Sequence, residues 1–186
     1  MTGLRGKIFG VCALLTASTA QAEGVSDPYA TVGDWRITAD NHKMCTMTRL
    51  YDSPVPEDVQ ALIVIYDAQR QIVSLNWAAR KPKLPVLTDS LDFRLAFLKG
   101  KSMDESWGSQ SFEIQKNDGY LFTHVFKGGP DVQHILRDLA SHEIITLFFG
   151  PLVTTSLYLN ASGAVAKLRE CSSKLAEHAP AEPVQN

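Results

Sequence analysis

The feature that most limits how this chain can fold is a cysteine on the apolar stripe of its last amphipathic segment. Ser162 to Cys171 opens a helical pattern in which Val165, Leu168, Cys171 and Leu175 recur at steps of three and four. A stripe of that kind packs inward, so it carries Cys171 toward the body of the domain. The strand before it alternates, with Val153, Thr155, Leu157 and Leu159 on one face. The other cysteine beyond the first dozen residues is Cys45, and a Cys45–Cys171 bond would enclose most of the domain. Chain-entropy reasoning gives such a loop about 5 kcal/mol of stabilisation at most. Two separate buried thiols are the alternative.

Whether the thiols meet an oxidant depends on export. Arg5 and Lys7 form a basic start, and Ile8 to Ala17 is an apolar run too short to span a bilayer. Ala20-Gln21-Ala22 then places small residues where a signal peptidase reads, predicting a signal peptide over 1–22 cut before Glu23. An uncleaved anchor is the other reading, but no stop-transfer pattern follows. Cys12 leaves with the signal. Of 186 residues, removing 22 leaves 164, and losing two basic residues takes the formal charge from −2 to −4. One domain's length of chain remains, with a mildly acidic balance that argues against a nucleic-acid face. The expected location is periplasmic, or secreted, with no transmembrane segment after cleavage. In that compartment thiols pair.

Patterning divides the remainder into a flexible leader at 23–31, one β-rich domain at 32–176 and a disordered tail at 177–186 rich in Pro, Ala and Glu. Short alternating strands are expected at Trp35–Ala39, Met44–Tyr51 and Gln71–Ala78, with Ala61–Tyr66 as a strand buried on both faces. Leu91, Phe93, Leu95 and Phe97 share one face of a further strand. Asn117-Asp118-Gly119 reads as the turn of a hairpin joining Phe112–Lys116 to Tyr120–Phe126. After Gly128-Gly129-Pro130, Asp131 and its neighbours are expected to cap a helix with Val132, Ile135, Leu136 and Leu139 on its stripe, ending at Ser141-His142. Glu143–Phe149 is another buried strand. The fold class is mainly β: an antiparallel sandwich or curved sheet of eight or nine strands with two late helices, the C-terminal one packed on the sheet.

No catalytic constellation emerges. The five histidines, His42, His124, His134, His142 and His178, make no H-x-x-x-H or H-E-x-x-H pattern. His134 and His142 stand two turns apart and are not expected to be neighbours, and His124 reads as a half-buried strand residue. No G-x-S-x-G elbow, C-x-x-C or cofactor motif is present. Asp104 and Glu105, before Trp107, have the composition of a sugar or acid–base pair, yet adjacent loop residues seldom point to one place. Phe93, Phe97, Phe112, Phe122, Phe126, Phe148 and Phe149 read as packing residues. No metal site and no cofactor are predicted.

Two segments carry a resemblance. Gly33-Asp34-Trp35-Arg36-Ile37, with Cys45 shortly after, resembles the mature N-terminus of the bacterial invasion-associated locus B family. Ser156-Leu157-Tyr158-Leu159-Asn160-Ala161-Ser162-Gly163-Ala164-Val165-Ala166 is similar to that family's closing strand and small-residue helix. The resemblance implies a small, exported, β-rich protein without known catalytic machinery, some relatives being linked to host-cell contact. The mid-chain cysteine pair typical of the family is missing here, and invasion activity is not carried over.

The functional expectation is an exported, non-catalytic protein that binds another protein or a cell-envelope component. An alternative is a binder of a small apolar or sugar-like ligand using aromatics near strand ends, namely Trp77, Trp107 and Tyr120. A third is a cryptic hydrolase using Asp104, Glu105 or His124, which requires those side chains to cluster.

Overall fold

In a computed structural model of the chain, residues 28–40, 44–53, 55, 59–82, 89–149 and 152–177 are described. The stretches read above as a signal peptide, as most of the leader and as the tail beyond Glu177 lie outside these residues. Eleven strands and two helices follow in order: β1 Ala30–Val32, β2 Trp35–Ala39, β3 Cys45–Tyr51, β4 Gln60–Asp67, β5 Ile72–Ala79, β6 Ser90–Lys99, β7 Ser102–Asp104, β8 Ser109–Lys116, β9 Tyr120–Lys127, α1 Gly129–Ser141, β10 Ile144–Phe149, β11 Leu152–Tyr158 and α2 Ser162–Glu177. The two strands beyond the expected nine are the three-residue β1 and β7, too short to leave a pattern in sequence. β1 starts inside the stretch read as leader, because pairing with β2 satisfies backbone groups that composition alone leaves open.

Every pairing is antiparallel, in the order β1-β2-β3-β4-β5-β9-β8-β6-β10-β11, with β7 beside β6. The sheet curls into a half-barrel rather than a sandwich. Its concave face carries Leu62, Val64, Tyr66, Leu75, Trp77, Phe93, Phe112 and Phe122, all buried. Helix α2 lies against β1 to β4, and α1 against β5, β9 and α2. β4 is not buried on both faces as its apolar run suggests. Ile63 and Ile65 face outward and are half-exposed, since the helices cover one side of the sheet.

Side chains on the early strands reach across to the chain leaving β11. The Trp35 Nε1–H and an Arg49 Nη1–H both donate to the Leu159 carbonyl, each at 2.8 Å, and the Tyr51 hydroxyl donates to the Tyr158 carbonyl at 2.7 Å. Nearby, the Trp77 Nε1–H and the Thr155 hydroxyl share Gln60 Oε1, at 2.9 and 3.0 Å. The Cys45–Cys171 disulfide is formed, with Cα atoms 6.1 Å apart, and ties α2 to β3. Val165, Leu168 and Cys171 are buried as the stripe requires.

The β8–β9 hairpin forms as expected, and Gly119 in its turn also allows a close approach: a Cβ there would stand 3.0 Å from the Ala79 carbonyl oxygen. One local expectation is corrected. Helix α1 starts at Gly129 with Gly128 as its N-cap and no side-chain cap. Asp131 instead lies within the first turn, where its charge complements the helix dipole.

Candidate functional site

On α1 the apolar stripe is interrupted by Asp138, whose burial matches its neighbours at 4% exposure. A carboxylate removed from water needs partners. Its Oδ2 accepts the Trp107 indole N–H at 2.8 Å and lies 3.1 Å from His134 Nε2, one turn back on the same helix. Trp107 comes from the turn between β7 and β8, where Gly108 takes a φ of +60° and its carbonyl accepts the Leu95 N–H. The indole ring packs on His134 at 4.5 Å and on Phe126 at 4.8 Å between centroids.

One turn further along α1, His142 is the C-cap, and its backbone N–H donates to the Asp138 carbonyl at 3.1 Å. Its Nδ1 donates to the same carbonyl at 3.0 Å, while the ring stands 5.5 Å from Phe97. Asp104 sits at the end of β7, opposite Phe97 in register. The Ser106 backbone N–H, 2.8 Å from Asp104 Oδ1, holds the Asp104 carboxyl below its usual value. The Ser106 hydroxyl and the nearby His142 and His134 lower it further. One donor atom each from Asp104, Asp138 and His142 lies within 4.8 Å of the other two.

His134 and His142 are therefore linked after all, through the residue midway between them. His134, Asp138 and His142 are spaced i, i+4, i+8, a single helix face that a search for paired histidines passes over. Asp104 and Glu105 diverge as adjacent residues tend to: Glu105 turns to Arg94 at 3.6 Å. His124 lies elsewhere, its Nδ1 donating to the Ser111 carbonyl at 2.8 Å. The trio Asp104, Glu105 and His124 is not brought together.

Nor do the three aromatics considered for a ligand meet at one place. Trp77 is buried and stacked on Phe122 at 4.6 Å, its N–H occupied by Gln60. Trp107 is committed to Asp138. Tyr120 is half-buried and lines a mainly apolar pocket of 290 Å³ with Ala61, Ala79 and Leu121. A larger pocket of 530 Å³ opens beside the Asp138 cluster, where Arg49, His142, Glu143, Tyr158 and Ser162 line it.

Fold and site together define a class of protein: an antiparallel half-barrel whose closing helix is bonded through sulfur to an early strand, with a buried carboxylate knot on one flank. The solved structure of invasion associated protein B from Bartonella henselae shares the fold, with a TM-score of 0.54 and 21% sequence identity over 79% of this chain and 97% of that one. At that identity the likeness is one of fold, and it supports the resemblance read from the two ends of the chain. Neither a protein-family model nor a curated protein sequence matches the chain. No helix among the described residues is long and apolar enough to cross a membrane.

Proposed function

We propose that this is an exported, non-catalytic protein that works in the periplasm, or outside the cell, by binding another protein or an envelope component. The observation that carries the reading is the convex face of the sheet. Thr46, Ile65, Ser74 and Val125 are cross-strand neighbours in one row over β3, β4, β5 and β9, and Thr48, Ile63, Asn76 and Thr123 form the next. Eight adjacent positions on an outer sheet face thus carry no charge, and three of them, Ile63, Ile65 and Val125, are apolar where a face that meets only water is expected to be polar. Apolar side chains grouped on an outer face are a feature of interaction surfaces, and this group supports the binding reading. Asn76 stiffens it, donating to the Ile63 carbonyl and accepting from the Thr123 hydroxyl. The formed disulfide and the shared fold support export, since that cross-link persists in oxidising compartments.

The test is capture of partners from periplasmic extract by the mature protein, compared with an Ile65→Arg, Val125→Arg double variant of unchanged circular dichroism. Loss of a specific partner with the variant is expected. Equal capture by both would remove the convex face from the argument. Turnover in a broad hydrolase panel that survives repurification would end the non-catalytic reading.

The apolar pocket at Tyr120 favours a second reading, a small apolar or sugar-like ligand. A thermal-shift screen in which Tyr120→Ala abolishes a hit would establish it.

A further inference from the structure

We propose that Asp104, Asp138 and His142 form a binding site for a divalent metal ion of the zinc class, a property separate from partner binding on the convex face. Three donor atoms from β7, α1 and the α1 C-cap converge within 4.8 Å of one another. Ligands about 2.1 Å from a tetrahedral ion stand about 3.4 Å apart, so closure asks for a small rotation of the half-exposed Asp104.

The surrounding hydrogen bonds are those a metal ligand set requires. A ligating histidine usually donates its second ring N–H to a carbonyl, which fixes tautomer and ring orientation. His142 Nδ1 stands 3.0 Å from the Asp138 carbonyl and 3.2 Å from the Ser141 hydroxyl, and in the tautomer that donates to the carbonyl Nε2 keeps its lone pair for an ion. A ligating carboxylate is likewise anchored through one oxygen. The Trp107 N–H and His134 Nε2 both engage Asp138 Oδ2, and among the described residues no hydrogen bond to Oδ1 competes with an ion there. Asp104 is anchored the same way, with Oδ1 accepting the Ser106 N–H at 2.8 Å.

The donor set selects the ion. An imidazole with two carboxylates suits zinc and neighbouring transition metals, whereas calcium and magnesium prefer oxygen donors alone. Three protein ligands leave at least one position open, and His142 also lines the 530 Å³ pocket, so solvent reaches the ion.

The test is titration of the chelator-treated mature protein, carrying no histidine tag, with zinc chloride, and with magnesium and calcium chloride as separate arms. Calorimetry should show one zinc ion bound per chain and no comparable heat from the other two. Asp104→Asn and His142→Gln should each weaken zinc binding at least tenfold while leaving the circular dichroism unchanged. A readout that needs no variant is the indole N–H region of the ¹⁵N–¹H spectrum. Zinc should move the Trp107 signal, which reports on Asp138, and leave those of Trp35 and Trp77 in place. Absence of binding at millimolar zinc overturns the proposal, as does binding equally strong in both variants or a Trp107 signal that stays still at saturation.

Discussion

Asp138 shows how one side chain can hold a site together. Its Oδ2 serves two donors from different parts of the chain, so removing it strands a half-buried indole N–H. Asp138→Ala is expected to cost about 1–3 kcal/mol in urea unfolding. Trp107→Phe should also destabilise, and the double variant should lose less than the two single effects summed, because both report one bond. Tyr51 makes a prediction in pH. Burial pushes its phenol up to about 12, with Arg49 opposing and Asp34 adding to the shift. A folded-state pKa raised above the unfolded value near 10 favours the neutral phenol in the native protein. That stability is complete below pH 10 and is lost as the pH rises toward 12. Tyr51→Phe should flatten this part of a stability-versus-pH curve, measured by thermal unfolding.

The elements are fastened by a few polar bonds as well as by packing. Ser172, on α2, accepts the Ala68 N–H at 2.9 Å and donates to the Tyr66 carbonyl at 3.3 Å, tying the helix to the end of β4. Ser172→Ala leaves two backbone groups at a buried seam without that partner. It should lower stability by about 1–2 kcal/mol in denaturant titration, with hydrogen exchange accelerated first in α2. The helix stripes were legible in sequence because a period of three and four has one structural meaning. Residues between them were harder. Asp138 and Ser172 look like ordinary polar positions flanking a stripe, and what buries them is the arrival of Trp107 and of the β4–β5 turn, both remote in the chain.

At the scale of the molecule, the half-barrel is completed by contacts between early and late segments, and the disulfide spans 126 residues of sequence. Reduction, or a Cys45→Ser, Cys171→Ser variant, is expected to lower unfolding free energy by about 2–5 kcal/mol. Slower refolding with more aggregation should accompany it, followed by light scattering after dilution from denaturant, because non-local strand pairing must be found without the tether.

The chain's own patterning determined that it is β-rich and antiparallel, that its last helix turns Cys171 inward, and which residues are apolar enough to be core. Alternation and helical period are local properties, and a residue's neighbours two to four positions away are enough to express them. Only the tertiary structure decided the strand order, with β9 between β5 and β8, the curl in place of a sandwich, and the meeting of Asp104 with Asp138 and His142. A strand's pattern says which face seeks the core but not which strand lies beside it. That choice belongs to the combined packing of segments distant in sequence, and the grouped carboxylates and imidazole are a consequence of it.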